Sequence, residues 1–393
     1  MKNPLIVLAG LLAAACATES ASEPTRVALN VAAYAAGPAV VDLGGEPPPY
    51  PANPYASAVN PAGVVVGRMV AEVVMWDHGT VTQIAPLCTF SLCFLDRSDF
   101  RVGINASGQI VGVSNSRAFE WDHGTLIDLS ASVGSGSYAS WINDAGHVLG
   151  AMHLCTTGVT ECQGMAVMWR EGTPIPLTLG GDYSRPAGLN AAGQAVGEAS
   201  LPAPPPFTGA VHAFLWDGAA MHDLGTLGGF YSSATGINAQ GQVVGFDQTA
   251  LDVFHAVLWD HGATTDLGQG RACAINSAGQ IVGESEGRAV VWDHGQTIDM
   301  GLSGYGTGEI NSLCGADEPF QHGPVINAAG DVALNYCTHA GTCSAYLWSR
   351  GTLTKLGDLG GDQARIWGIN PRGWIVGQST TGSGDFHAVL WTR

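Results

Sequence analysis

At 393 residues the chain has room for two or three ordinary domains or one large repeat domain, and an apolar share of 46% is enough to build a core. Charged residues make up only 12%, lysine is confined to Lys2 and Lys355, and the formal charge is −18. That balance repels phosphate backbones and excludes nucleic acid as a partner, while the low charge density excludes a disordered acidic tail.

The first element in chain order is a targeting segment. Lys2 supplies a minimal positive start, and the apolar run from Leu5 to Ala15 is too short to span a bilayer but suits a signal peptide. It ends in Leu12-Ala13-Ala14-Ala15-Cys16, which resembles a bacterial lipobox with Ala13 where leucine is usual. Residues 1–16 are therefore expected to be a lipoprotein signal with Cys16 as the site of lipid attachment. An ordinary cleavage after Ala13-Ala14-Ala15 is the alternative. Residues 17–37 are small, polar and aperiodic and read as a tether. The expected address is a bacterial outer membrane, on its periplasmic side or at the cell surface, with the lipid as the sole membrane contact.

The body, residues 38–393, is a repeat. One phrase recurs eight times: Ile-Asn or a relative, two residues, Gly, and usually a Val/Ile run closed by Gly. Its asparagines are Asn60, Asn105, Asn143, Asn190, Asn238, Asn276, Asn327 and Asn370. Asn at the start of a tight turn and Gly at its end suit a type I turn between two strands, a and b. A second phrase ends in Trp76, Trp121, Trp169, Trp216, Trp259, Trp292, Trp348 or Trp391 and reads as a third strand, c. Asp-His-Gly, as in Asp122-His123-Gly124, then turns into a fourth strand, d, that closes on Asp-Leu-Gly or a relative, as at Asp223-Leu224-Gly225. Four short strands per unit match a propeller blade. The body opens on a lone d strand, Ala39 to Gly45, and ends on a c strand, Phe386 to Trp391. The fold class expected is all-β: a closed propeller of eight four-stranded blades in which the N-terminal strand completes the last blade and hides its edge. The seventh copy is the weakest, because Asp331-Val332-Ala333-Leu334-Asn335 lacks the closing Val-Gly.

Apart from Cys16 there are eight cysteines. None has the C-x-x-C spacing of a zinc or redox site, and an oxidising compartment makes disulfides the natural reading. Proximity suggests Cys88 with Cys93, Cys155 with Cys162 and Cys337 with Cys343, which leaves Cys273 with Cys314.

Candidate chemistry is sparse. A ring of Asp-His-Gly turns could bind a metal, but copies four and seven keep the turn as Asp217-Gly218 and Ser349-Arg350-Gly351 and lose the histidine, so turn formation is the preferred reading. The tryptophans read as core between blades. The Leu-Gly-Gly segments at Leu179, Leu227 and Leu359 read as tight crossings between blades rather than anion nests. The glycine-rich stretch at Gly304 to Gly308 has the wrong spacing for a nucleotide loop, and no G-x-S-x-G, H-E-x-x-H or P-loop is present. No cofactor is expected. Length variation concentrates in the b–c loops and d-to-a crossings, which share one face. That face is expected to carry any binding site, and the loop at residues 302–323, with Asp317, Glu318 and His322, is the first candidate.

His212-Ala213-Phe214-Leu215-Trp216-Asp217, followed by Asp223-Leu224-Gly225-Thr226-Leu227-Gly228-Gly229 and Gly236-Ile237-Asn238, resembles the HAF (His-Ala-Phe) repeat family of extracellular bacterial proteins, over residues 39–393. The resemblance implies an exported repeat protein and brings no activity or catalytic residues. The expected function is a membrane-anchored, non-enzymatic binding or scaffold module for a protein or glycan ligand. The rival is a propeller-type carbohydrate hydrolase or lyase. Acidic and histidine side chains converging in the channel would favour the enzyme, and a channel lined by small apolar residues the module.

Overall fold

The computed structural model describes residues 39–45, 54–69, 72–84, 101–133, 136–154, 163–203, 209–304, 313–314, 323–338 and 342–392. Residues 1–37, with Cys16, lie outside them. Each repeat forms one blade whose strands pair antiparallel in sequential order a-b-c-d. Blade 3 shows the plan: Ser137–Ile142, Val148–Leu154, Gln163–Arg170 and Thr173–Leu177. Between blades 5 and 6 one long strand, Ala263–Ile275, serves as d of the first and then a of the second. Blade 8 is composite. Gly360–Ile369, Ile375–Thr381 and Phe386–Thr392 come from the C-terminal end, and Ala39–Gly45 supplies the outer strand, with Ala39 opposite Thr392 and Val41 opposite Leu390. The eight-bladed propeller and its closure by the N-terminal strand are thus as the repeat predicts. Blade 7 forms despite its weak phrase, on the short strand Val325–Ile326 and the strand Val332–Cys337.

Every junction between blades carries its own apolar cluster, and the c-strand tryptophan of one blade packs against the blade before it. Trp259 of blade 5 lies with Val196 and Ala213 of blade 4, and Trp216 of blade 4 with Leu149, Ala166 and Met168 of blade 3. Trp76 of blade 1 lies with Val376, Ala388 and Leu390 of blade 8, so the last junction is sealed like the others. A blade buries both faces of strand b, which is why Ala195–Ser200 is buried at every position and why such strands read as continuous apolar runs.

The a strands neighbour one another around the channel, and their ends are joined by a closed circle of amide hydrogen bonds. The Nδ2 of each turn asparagine donates to the backbone carbonyl of the next: Asn60 to Asn105 at 3.3 Å, Asn105 to Asn143 at 3.1 Å, Asn143 to Asn190 and Asn190 to Asn238 at 3.0 Å. Asn238 donates to Asn276 and Asn276 to Asn327 at 3.1 Å, Asn327 to Asn370 at 3.4 Å, and Asn370 back to Asn60 at 3.1 Å. Each Oδ1 meanwhile caps its own turn, as Asn238 accepts from the Gln240 and Gln242 amides at 3.1 and 3.0 Å. In four blades a glutamine four residues on shares the load, Gln109 accepting from Asn105 Nδ2 at 2.7 Å in the second. Gln194, Gln242 and Gln280 accept from the asparagine Nδ2, and each lies over the turn glycine of the next blade, Gly241, Gly279 and Gly330. That glycine holds φ of +81° to +83°, which L side chains rarely adopt.

The closing glycine of the phrase has a different cause. Strand a carries a bulge two to four residues before the asparagine, as between Ala234 and Gly236. This brings the strand-a carbonyl against strand b. A Cβ on Gly245 would stand 2.0 Å from the Ser233 oxygen, and on Gly197 2.0 Å from that of Arg185.

A turn-only role for the asparagines would tolerate aspartate, which caps a turn equally well. The circle does not, because a carboxylate cannot donate. Asn238→Asp should destabilise the protein by about 1–3 kcal/mol, because a carboxylate would face the buried Asn276 carbonyl in place of a donor and leave it only the Gly279 amide. Urea unfolding that finds the variant as stable as the parent would remove the circle from the stability of the fold.

Candidate binding site at the channel mouth

The described parts of the b–c loops and d-to-a crossings lie on the face opposite the asparagine circle. Strand a enters the channel from that face, so in the copies described there the residue five before the asparagine stands about 16 Å from the circle, beside its strand-b partner. These two positions hold the variable side chains of an otherwise repetitive interior. Arg185 lies opposite Glu198 in blade 4, Ser233 opposite Phe246 in blade 5, and Arg271 opposite Glu284 in blade 6. Blades 1 and 8 place Tyr55 opposite Arg68 and Arg365 opposite Gln378.

Blades 4 to 6 form the densest part. The Glu198 side chain is 5% exposed. Its Oε1 accepts from Arg185 Nε at 3.0 Å and from the Tyr183 hydroxyl at 2.7 Å, and its Oε2 from the Tyr231 hydroxyl of blade 5 at 2.6 Å. Ser233 is a further partner. Burial pushes the Glu198 carboxyl up, but the Arg185 charge and the hydrogen bonds from Arg185, Tyr231 and Ser233 outweigh it and hold the group below the usual carboxylate range. The same burial, with the carboxylate beside them, pushes the Tyr183 and Tyr231 hydroxyls well up. Tyr231 continues into an aromatic group, 5.9 Å from Phe246 and 6.1 Å, edge-on, from Phe254. The Arg271 guanidinium lies over both phenylalanine rings, at 4.9 and 5.1 Å, a cation–π arrangement. On the same blade and face, Phe230 and Leu251 are 80% and 85% exposed, far more than apolar side chains of their size elsewhere among the described residues.

The residues singled out from the sequence fall elsewhere. Asp317, Glu318 and His322 lie outside the described residues, as do Cys88, Cys93, Cys155 and Cys162. Of the four disulfides expected, Cys273–Cys314 and Cys337–Cys343 are formed. The face expected to carry a site does hold the cluster just described, although its charged and aromatic members sit largely within strands. The signal was present in the sequence. Eight after the repeated asparagine the side chain changes from copy to copy, as Arg68, Glu198, Phe246 and Glu284 show, while the residue just before it is glycine in every copy but the seventh. His322 stands five before Asn327, the offset that holds Arg185, Arg271 and Arg365 in other copies.

The Asp-His-Gly turns are turns. His78, His123, His261 and His294 each bond the aspartate just before them at 2.5–2.6 Å, and both His and Gly adopt positive φ, the type I′ geometry. Among the described residues no three His, Cys, Asp or Glu side chains gather as metal ligands. The histidine of His-Ala-Phe has a structural task on the outer side of the blade. His212, His255 and His387 bond Asp223, Asp266 and Asp42 at 2.9 Å. Where arginine replaces histidine the pair persists, as Arg117 with Asp128 at 2.9 Å and Arg288 with Asp299 at 2.6 Å. The Leu-Gly-Gly crossings seat on the next blade, and the Leu227 amide donates to Asp247 Oδ1 at 2.9 Å.

No family model and no curated protein matches the chain. Solved structures do resemble it in fold. They include a chain of a mitotic checkpoint complex (TM-score 0.43, 13% identity, 75% of this chain and 89% of that one). The β-propeller domain of the Trilobed protease from Pyrococcus furiosus is similar (0.43, 11%, 78% and 96%), as is a putative TolB from Agrobacterium tumefaciens (0.38, 13%, 68% and 94%). The chain is a β-propeller by its own strand order and ring closure.

Asp247 yields a pH prediction. It is 1% exposed, its Oδ2 has no hydrogen-bond partner among the described residues, and burial pushes its carboxyl up to about 6. The folded state then holds the proton more tightly than the unfolded chain, so stability falls as pH rises from the ordinary carboxylate range through about 6. Blade 8 has Ser379 at this place, accepting from the Leu359 amide at 3.1 Å. Asp247→Ser should keep that acceptor, remove the loss of stability over this window, and equal or exceed the parent at pH 8. Thermal melts at pH 4.5 and 8 read the difference, and parallel pH profiles for the two proteins would refute it.

Proposed function

We propose that the chain is an exported propeller of the HAF repeat type, tethered to a bacterial outer membrane through lipid on Cys16, and that it binds a protein or glycan at the mouth formed by blades 4 to 6. The carrying observation is the state of Glu198. A carboxylate whose two oxygens accept from Arg185, Tyr183 and Tyr231 is committed to shaping a surface. A glycoside hydrolase needs a carboxyl able to give up or take a proton beside a second one at about 5–10 Å. Exposed Phe230 and Leu251 at the rim supply apolar contact of the kind that anchors recognition. Among the described residues no helix is long and apolar enough to cross a membrane, which is compatible with attachment through lipid.

Two experiments test the reading. Immobilised parent protein should retain a defined envelope component, and Phe230→Ser with Leu251→Ser should reduce retention at least tenfold without lowering Tm, since both side chains already face solvent. Unchanged retention moves the binding surface elsewhere, and steady release of new sugar ends from captured glycan would favour the hydrolase or lyase. Separately, Cys16→Ala should transfer the protein from the membrane to the soluble fraction. A variant that stays with the membrane ends the lipid assignment.

A further inference from the structure

We infer that the Arg185 guanidinium is a receptor for a carboxylate, and that the ligand of this mouth is an acidic glycan of the uronate type; the inference rests on the proposed binding at blades 4 to 6. Arg185 is fixed from one side only. Its Nε is bonded to Glu198, which is itself held by two tyrosine hydroxyls. The side chain remains 49% exposed, and neither Nη has a hydrogen-bond partner among the described residues. Arg170, at the end of strand c in blade 3, by contrast spends both Nη atoms on backbone carbonyls, those of Gly218 and Gly193. An arginine held rigid through Nε presents its two Nη donors as a flat fork, the geometry that matches a carboxylate in a bidentate pair. Because the fork is already oriented, binding sacrifices little side-chain freedom.

Charge does not forbid an anion here. The chain carries −18 overall, but at physiological salt fields decay within about 8 Å, so the groups at the mouth decide. Glu198 is the nearest opposing charge, and its lone pairs are taken by Tyr183, Tyr231 and Ser233 as well as by Arg185. Arg271, two blades on, adds a second cation, and the partly exposed rings of Tyr231 and Phe254 lie between, packed on the buried Phe246. A sugar acid combines the two features this spacing asks for: a carboxylate for the fork and a C–H face for aromatic carbon. A polymer of such units repeats both along its length. An acidic peptide offers the carboxylate without the ring.

The test is titration calorimetry on the full chain with three probes: a short oligogalacturonate, its fully methyl-esterified form and an oligoglutamate peptide. The oligogalacturonate should bind, with the ester and the peptide at least tenfold weaker. Arg185→Lys, which keeps the charge and loses the fork, should weaken the uronate at least tenfold. Arg288→Lys, the same change at the pair with Asp299 on the blade exterior, should not. Matching Tm values for the two variants confirm that folding is intact. Equal binding of acid and ester would overturn the carboxylate while leaving a glycan site at the mouth. Preference for the peptide would overturn the glycan, and indifference to Arg185→Lys would overturn the assigned residue. No binding by any probe would overturn the inference and leave the broader binding proposal to the Phe230 and Leu251 variants.

Discussion

The structure depends on one interaction repeated eight times: an asparagine amide that caps its own turn and reaches across to the carbonyl of the next. A propeller must fix the angle between blades, and apolar contact is poorly suited to that task because it has no direction. A hydrogen bond between adjacent turns does have direction. Since Asn370 donates to Asn60, the circle has no end, and each link is stabilised by the presence of the others. The N-terminal strand closes the outer rim of the same blade through Val41 and Leu390 and through His387 with Asp42. Ring closure is therefore made twice, at the axis and at the circumference.

This division sets the character of the two faces. The asparagine face is uniform because every turn on it must meet the same neighbour at the same distance. The opposite mouth is under no such constraint. Five residues up strand a, the side chain lies beyond the bulge and the glycine contact that tie the strands together, and its identity can change from blade to blade. Blades 4 to 6 use that latitude for Glu198, Arg185, Tyr231 and Arg271. The scaffold holds them because their backbones belong to paired strands, and the strand that carries Glu198 is buried along its whole length. A recognition surface built on strands costs less freedom on binding than one built on loops.

The outer pairs show how linked positions appear in a repeat. His212 with Asp223, His255 with Asp266 and Arg288 with Asp299 sit at one spacing in strands c and d. Blades that lack the cation also lack the acid, as blade 1 has Glu72 with Gln83 and blade 7 has Ser344 with Lys355. The His-Ala-Phe and Asp-Leu-Gly phrases are thus two halves of one contact, and the histidine is replaceable by any cation that reaches the aspartate.

Much of this architecture was legible from the sequence, for a physical reason. Short strands with tight turns state their geometry locally, and a lone d strand at one end facing a missing d strand at the other states closure. Two of the four disulfide pairs follow from the same reasoning, Cys337 with Cys343 from proximity and Cys273 with Cys314 by elimination. What only the tertiary structure decided is which atoms meet across blades. The sequence shows asparagine at eight turns, but not that the Nδ2 of Asn238 would find the carbonyl of Asn276, thirty-eight residues on. It shows Glu198, Tyr183 and Tyr231 as unrelated polar residues, because only strand pairing within blade 4 and the docking of blade 5 beside it set both hydroxyls on one carboxylate. Local pattern determines the blade, while the site arises only where the ring brings separate blades side by side.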